Sequence, residues 1–501
     1  MAADSPAVPN AGSPLAPFRA GLPAYRWIGY LLASVALLIP CYWQPRIQAG
    51  DLSSHIYNAW LAQLIEAGGT DGLIIVRQHN NVLFDLILDG LFRLWGPEWA
   101  QRVAVAAAVL IFVWGAFAFV SKVSGTRPRH LLPTIATLAY GWVFHMGFFN
   151  FYLSLGLVFW ALALGWEFRL RRLAVTAALL ALAYTAHALP VVWAICLLAY
   201  SWVAGRIAEH NRMWLVAGAV LVLIAIRLLI ACTLVSIWIP QQISLAGLFG
   251  ADQLWVFDRK YFCAVIGLLV LWVSLLFKLL RRLGGRKMSG GIPLQLILIS
   301  AAAVLILPTT VLIPGYRHTL AYMAERMSLP VAVLVCALLG SARPRWFEQW
   351  GLAAVALIFF ALLYHDERDL NRFEDRMDGV IAQLPPGQRV ISPVTDPELR
   401  VNALAHMVDR SCLGRCYSYA NYEASTAQFR VQAVAPNGFV VDNYRDSWNL
   451  QTGKYIVRDR DLPLYCIVPD QQGRMQVESM KAGALCESAS WSVLRNTMPG
   501  S

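Results

Sequence analysis

The sequence predicts an all-α polytopic membrane domain of about eleven transmembrane helices, followed by a C-terminal extracytoplasmic domain of mixed α/β structure. Three observations predict it. Of the 501 residues, 58% are hydrophobic and only 14% charged, whereas a soluble globular chain carries roughly 25% charged residues. Apolar runs of about 17–25 residues, the length that crosses a bilayer, recur from Trp27 to about Tyr364. Beyond residue 365 the composition turns polar, and short β-branched or aromatic runs alternate with turn residues.

Residues 1–26, rich in Pro and Ala, read as a disordered cytoplasmic lead. The first run, 27–43, is too long for a signal peptide and lacks a small-residue cleavage pattern, so it is expected to stay as an anchor. The membrane domain, 27–364, then continues through runs at about 101–120, 131–149, 151–167, 172–187, 188–204, 214–237, 261–279, 292–313, 328–342 and 350–364. Alternate connections are basic: "SKVSGTRPRH" (121–130), "EFRLRR" (167–172), "GRIAEHNR" (205–212), "KLLRRLGGRK" (278–287) and "SARPR" (341–345). Lys and Arg stay on the cytoplasmic side, so these loops face the cytoplasm. The longest intervening loop, 44–100, holds Asp51, Glu66, Asp71, Asp85, Asp89 and Glu98 against Arg46, Arg77 and Arg93. Much of the net charge of +11 is therefore a topology signal, and nucleic acid is not an expected partner.

Eleven crossings from a cytoplasmic N-terminus put loop 44–100 and the tail 365–501 outside a bacterial inner membrane, in the periplasm. The tail cysteines Cys412, Cys416, Cys466 and Cys486 are even in number and suit disulfides in an oxidising compartment, with connectivity open. A CxxxC metal site is the competing reading, but no His spacing supports zinc.

Loop 44–100 is long for a connection without a task. In "GDLSSHIYNAWLAQLIEAG", Asp51, Ser54, His55 and Asn58 share one helix face. In "VLFDLILDGLFRLWG" (82–96), Asp85 and Asp89 lie one turn apart and the remaining face is apolar. Both stretches are expected to lie flat on the outer membrane surface. In the tail, "YHDERDLNRFEDRMDGVIAQL" reads as an amphipathic helix ended by "PPG", and "QRVISPV", "FRVQAV", "GFVVDNY", "KYIVRD" and "LYCIVP" read as strands.

Asp51 follows the first membrane helix on the outer side, where a carboxylate would reach the head of a lipid-linked substrate. Capping the following helix is the other role open to it. The layout of "GDLSSHIYNAWLAQLIEAG", of "RQHNNVLFDLILDGLFRLWGPEWAQRVAV" and of "RHTLAYMAERMSLPVAVLV" resembles the GT-C superfamily of integral-membrane glycosyltransferases. That superfamily includes protein O-mannosyltransferases, oligosaccharyltransferase catalytic subunits and aminoarabinose transferases. The resemblance implies transfer of a sugar from a polyprenyl-phosphate donor to an acceptor hydroxyl on the extracytoplasmic side. It carries Asp51 over as general base, with His55 beside it, and Tyr57 as a loose match. His79, Asn80 and Asn81 stand where relatives have Lys-Pro-Pro, a departure that leaves any cation there in question. Trp99, Ala100 and Arg102 keep a "W-A-x-R" pattern, and Asp85 is a further substrate-binding candidate. Arg326 and Pro330 match an "R-Y-x-x-P" pattern, so Arg326 is the phosphate ligand the resemblance implies, with Arg317 and His318 as secondary candidates. An interfacial anchor is the alternative for Arg326.

No cofactor is required by these readings, and a divalent metal stays open, because some relatives bind one through paired acids whereas Leu52 follows Asp51 here. Arg227, mid-run in "WLVAGAVLVLIAIRLLIACTLV", must face a partner or a polar cavity. His145 and His187 sit near outer helix ends without a motif around them. The partners implied are membrane lipid, the polyprenyl-phosphate sugar and an acceptor the sequence does not name. A transporter and a non-catalytic assembly factor for cell-envelope glycans are the rival classes, both compatible with the hydropathy.

Overall fold

The computed structural model describes residues 24–239, 244–313, 319–426, 428–434, 437–470, 472 and 474–491. Arg317 and His318, and the lead as far as residue 23, lie outside the described residues. Helices dominate. The apolar runs form α1 (Ala24–Leu38), α3 (Leu83–Ser124), α4 (Leu132–Ala139), α5 (Trp142–His145), α6 (Phe149–Gly165), α7 (Leu170–Ala186), α8 (Ala188–Ala204) and α9 (Arg212–Thr233). They continue as α11 (Phe262–Leu283), α13 (Ile292–Ile306), α14 (Met323–Leu339) and α15 (Trp346–Ile381), with the short α10 (Leu245–Phe249) and α12 (Gly285–Ser289) between.

Among the described residues, four helical segments are long and apolar enough to cross a membrane: Leu83–Ser124, Glu209–Thr233, Arg259–Leu283 and Trp346–Ile381. Shorter apolar helices accompany them at Trp27–Cys41, Phe149–Gly165, Ala188–Ala204 and Ile292–Ile306. The run read as one span at 131–149 is instead broken between α4 and α5, and it is buried in the protein core. Its apolar character reflects packing against other helices, which hydropathy cannot distinguish from contact with lipid.

Two helices exceed their expected bounds. α3 joins the second outer-loop stretch to the next span and kinks where Gly96 takes φ 75°, ψ 175° before Pro97. Pro97 has no N–H to continue the ladder, and glycine accepts the positive φ without strain. α15 runs for 36 residues, or about 54 Å, and fuses the last apolar run with the amphipathic helix, so the expected boundary at 364/365 falls inside it.

α2 (Leu52–Glu66) departs from the expected surface helix, because its residues from Leu52 to Ala59, with Leu61 and Ala62, are buried. Its polar face meets the tail rather than water or headgroups. Tyr57 accepts a hydrogen bond from the Ser418 N–H at 2.9 Å, and Trp60 stacks on Tyr417. The loop also adds a strand to the tail: β1 (Leu73–Ile75) pairs antiparallel with Val431–Ala433, placing Ile74 opposite Gln432.

The small β2 (Val235–Ile237), β3 (Thr310–Leu312) and β4 (Thr319–Leu320) form a separate antiparallel sheet. In the tail, β5 (Arg389–Ile391) and β6 (Val394–Thr395) precede α16 (Met407–Ser411), β7 (Tyr417–Ser418), α17 (Tyr422–Thr426) and β8 (Val431–Ala433). α18 (Tyr444–Gln451), β9 (Leu464–Pro469), β10 (Met475–Ser479) and β11 (Ala489–Ser490) complete it. The main sheet has the order β10-β9-β5-β7, with β5 parallel to both neighbours and β9–β10 antiparallel.

"GFVVDNY" and "KYIVRD" are not strands, for a local reason. Asn437 Oδ1 accepts from the Phe439 and Val440 N–H groups, and Asn443 caps α18, so side-chain turns replace the ladder. Asp461 likewise draws in the Tyr455 hydroxyl and the Arg458 N–H, both at 2.8 Å. The four tail cysteines form the disulfides Cys412–Cys416 and Cys466–Cys486.

One buried ion pair joins the parts. Arg410 on α16 donates from Nε and Nη2 to the two carboxylate oxygens of Glu374 on α15, each at 2.6 Å. Its Nη1 also donates to the Ile47 carbonyl at 3.0 Å and to Gln101 at 3.2 Å. Glu374 is fully buried. Arg410→Met alone is expected to lower stability by roughly 3–5 kcal/mol, because it strips the buried carboxylate of both its short charged hydrogen bonds and leaves it Gln48 and, at 3.7 Å, Arg46. The double variant Arg410→Met/Glu374→Met should recover part of the loss, as thermal unfolding of the purified protein would measure.

Candidate functional site

The end of loop 41–51 and the turn after α5 are stitched together at Asp51. Gly50 N–H donates to the His145 carbonyl at 2.8 Å, and Asp51 N–H to the Met146 carbonyl at 3.1 Å. Gly147 makes this approach possible: it has φ +82°, and a Cβ there would lie 2.4 Å from the Asp51 nitrogen. Asp51 occupies the N-cap position of α2, yet its side chain makes no capping hydrogen bond. Its carboxylate instead borders a cavity of about 400 Å³.

That cavity collects residues from widely separated segments. Asp51 and His55 come from α2 and its cap, Asn80 and Asn81 from the loop before α3, and Phe148 and Asn150 from the start of α6. His187 caps α8, Arg326 comes from α14, and Tyr422 and Phe429 come from the tail. Ala188, Leu189, Val192, Ile313, Leu320 and Met323 make the remaining wall apolar.

The charges divide between two ends. At one end, Asp51 Oδ1 lies 3.7 Å from His406 Nε2, and His406 Nδ1 lies 3.6 Å from Asp409 Oδ2. Asp409 is held by the Ser418 hydroxyl at 2.5 Å and by Asn421. Tyr422 packs on the His406 ring, with centroids 4.7 Å apart. Burial works against the imidazolium of His406, but Asp409 and Asp51 outweigh it and raise its pKa.

At the other end, His187 Nδ1 accepts from the Leu189 N–H at 3.2 Å. Arg326 Nη1 is 3.4 Å from His187 Nε2, a contact across which the guanidinium can only donate. The Arg326 guanidinium rests 3.7 Å above the Phe148 ring, and its Nε is buried without a hydrogen-bond partner. Among the described residues no carboxylate comes within ion-pair distance of it. A cation held by an aromatic face without a carboxylate partner is prepared for an anion.

The remaining candidates fall elsewhere. Asp85 supports the site from behind: Oδ1 is 2.7 Å from His55 Nδ1, and Oδ2 accepts from Asn150 at 2.8 Å. His79 is exposed and outside the cavity lining, although its neighbours Asn80 and Asn81 belong to it. Arg102 turns away to the Pro45 carbonyl, at 2.8 Å, and steadies the chain ahead of Asp51. Tyr57 is committed to Ser418. Arg227 is half-buried in α9 and does not border the cavity. His145 is a packing histidine whose Nε2 lies 3.1 Å from Glu367. No group of three or more His, Cys, Asp or Glu side chains suited to a metal ion occurs among the described residues.

Sequence reasoning missed His406, Glu423 and Phe148. "LAHMVDR" carries His406 and Asp409 at i, i+3, a visible pairing, but nothing local links it to Asp51. Of the tyrosines in "YSYANYEAS", Tyr422 reaches the cavity wall. Comparison with protein-family models, curated proteins and solved structures finds no match to the chain.

His55, Asp85 and Glu423 form a buried triad behind Asp51, with Glu423 3.4 Å from the His55 ring. Burial disfavours the imidazolium, but Asp85 and Glu423 overcome this and push its pKa up to about 10. Burial also raises the Glu423 carboxyl, with His55 opposing and Asp85 and Asp51 reinforcing the shift. In both cases the folded state holds a proton that the unfolded chain releases at lower pH, so stability falls as pH rises. For His55 the contribution is complete below pH 6.5, its ordinary value, and is lost as pH approaches about 10. The wild-type melting temperature should therefore fall across that interval, and His55→Gln should flatten the fall in a pH series of thermal melts.

Proposed function

We propose that the chain is a membrane glycosyltransferase of GT-C type, which moves a sugar from a polyprenyl-phosphate donor to an acceptor hydroxyl. The observation that carries this reading is the cavity itself, with a carboxylate, Asp51, on one side and the unpaired cation Arg326 beside His187 on the other. The apolar wall of Leu189, Val192, Ile313 and Leu320 suits the lipid of such a donor.

In the proposed reaction the acceptor oxygen attacks the anomeric carbon of the sugar. Asp51 takes the acceptor's proton as the new bond forms, a general-base contribution of about 10²- to 10⁴-fold. The bond from that carbon to the phosphate oxygen breaks, and its electron pair leaves with the phosphate. Arg326 receives the developing charge, donating to the phosphate oxygens. His406 faces Asp51 from the tail and orients its carboxylate, while the His55–Asp85 pair holds the start of α2 behind it.

The topology that goes with this reading has about eleven membrane helices, a cytoplasmic N-terminus, and loop 44–100 and the tail in the periplasm. The basic loops at 167–172 and 205–212 support the cytoplasmic assignment, and the two tail disulfides suit an oxidising compartment.

Transfer of radiolabelled sugar from a panel of polyprenyl-phosphate donors by purified protein tests the proposal. Wild type should transfer, and Asp51→Asn should lose about 10²- to 10⁴-fold in rate while melting normally. Equal rates would remove Asp51 from catalysis. Absence of transfer across donors and acceptors would favour a transporter or an assembly factor. A parallel series in EDTA reports whether a divalent metal takes part.

A further inference from the structure

α6 and α8 each run from the Asp51 cavity to a second hollow at their other ends. Each helix has 17 residues, so the two cavities are about 25 Å apart, close to the thickness of a bilayer core. The second hollow has a volume of about 600 Å³ and lies beside the basic loops "EFRLRR" and "GRIAEHNR". Trp166, Phe168, Ser201, Trp202, Arg206 and Ile292 line it.

Its chemistry is that of an interface. The Arg206 guanidinium lies flat on the Trp202 ring at 3.5 Å, and Nη1 donates to the Trp202 carbonyl at 2.8 Å. Among the described residues no carboxylate pairs with Arg206, whereas the nearest acid in the adjoining loop, Glu167, is engaged by Lys122, Arg169 and Arg172. Ser201 is 7% exposed, and its hydroxyl has no hydrogen-bond partner. A helical serine normally donates to a carbonyl one turn back, so this hydroxyl is left with unused donor capacity. Trp202 is 46% exposed, in keeping with a ring at headgroup level.

We propose that this hollow binds an anionic glycerophospholipid from the leaflet facing the basic loops. Arg206 and Ser201 would take the phosphate, and Trp166, Phe168 and Trp202 would pack the glycerol and upper acyl chains. The aromatic walls favour a lipid over a free phosphate ion, and Arg206, which has no carboxylate partner among the described residues, favours an anionic headgroup over a zwitterionic one. The inference does not rest on the reaction assigned to the Asp51 cavity.

Native mass spectrometry of the detergent-purified full chain with added phosphatidylglycerol tests it. Wild type should retain the lipid, and Arg206→Ala should retain about fivefold less. Trp202→Ala should also weaken retention, whereas Arg169→Ala, outside the lining, should not. Phosphatidylethanolamine should be held less well than phosphatidylglycerol, and inorganic phosphate should not displace either. Equal retention by Arg206→Ala and wild type, an equal loss in Arg169→Ala, no preference between the two lipids, or displacement by inorganic phosphate would each overturn the proposal.

Discussion

The buried Arg410–Glu374 pair is the contact on which the rest of the arrangement depends. Withdrawing both charges from water is costly, and the two-pronged geometry, together with the Ile47 carbonyl, Gln48 and Gln101, offsets that cost. Three segments remote in sequence meet there: the chain leading to Asp51, the long helix α15, and the tail. Arg46 extends the clamp, since its backbone exchanges hydrogen bonds with Asn371 and its side chain reaches Asp375 and Asp378. The position of Asp51 is thereby tied to α15 rather than left to a loop.

The tail is consequently part of the cavity wall. With α2 buried beneath it and β1 paired to β8, the tail supplies Tyr422 and Phe429 to the lining and His406 to the Asp51 carboxylate. A carboxylate, Asp51, and a cation, Arg326, border one largely apolar enclosure, which strengthens electrostatic interactions inside it. Arg326 is held by the Phe148 face without a carboxylate to neutralise it, which preserves its charge for a ligand.

Much of the helical part was legible because long apolar runs report burial directly. The break at 140–141 was not, since a helix inside the protein and one facing lipid have the same hydropathy. The pattern of Asp51, Ser54, His55 and Asn58 suggests an amphipathic helix lying on the outer membrane surface, whereas the helix is buried in the protein and its Ser54 and His55 meet Asn421 and Glu423 of the tail. The two absent strands failed because Asn437, Asn443 and Asp461 offer the backbone local partners that compete with a sheet.

The sequence by itself determined that the chain is apolar and largely helical, that its basic residues cluster in alternate loops, and that Asp51 and Arg326 stand near helix ends. These properties depend on residues close together along the chain. Only the tertiary structure decided that Asp51, His187 and Arg326 border one cavity, that His406 faces Asp51, and which cysteines pair. The cavity contacts join segments more than a hundred residues apart, and their geometry is set by helix packing and by one buried ion pair, neither of which leaves a local periodicity to read.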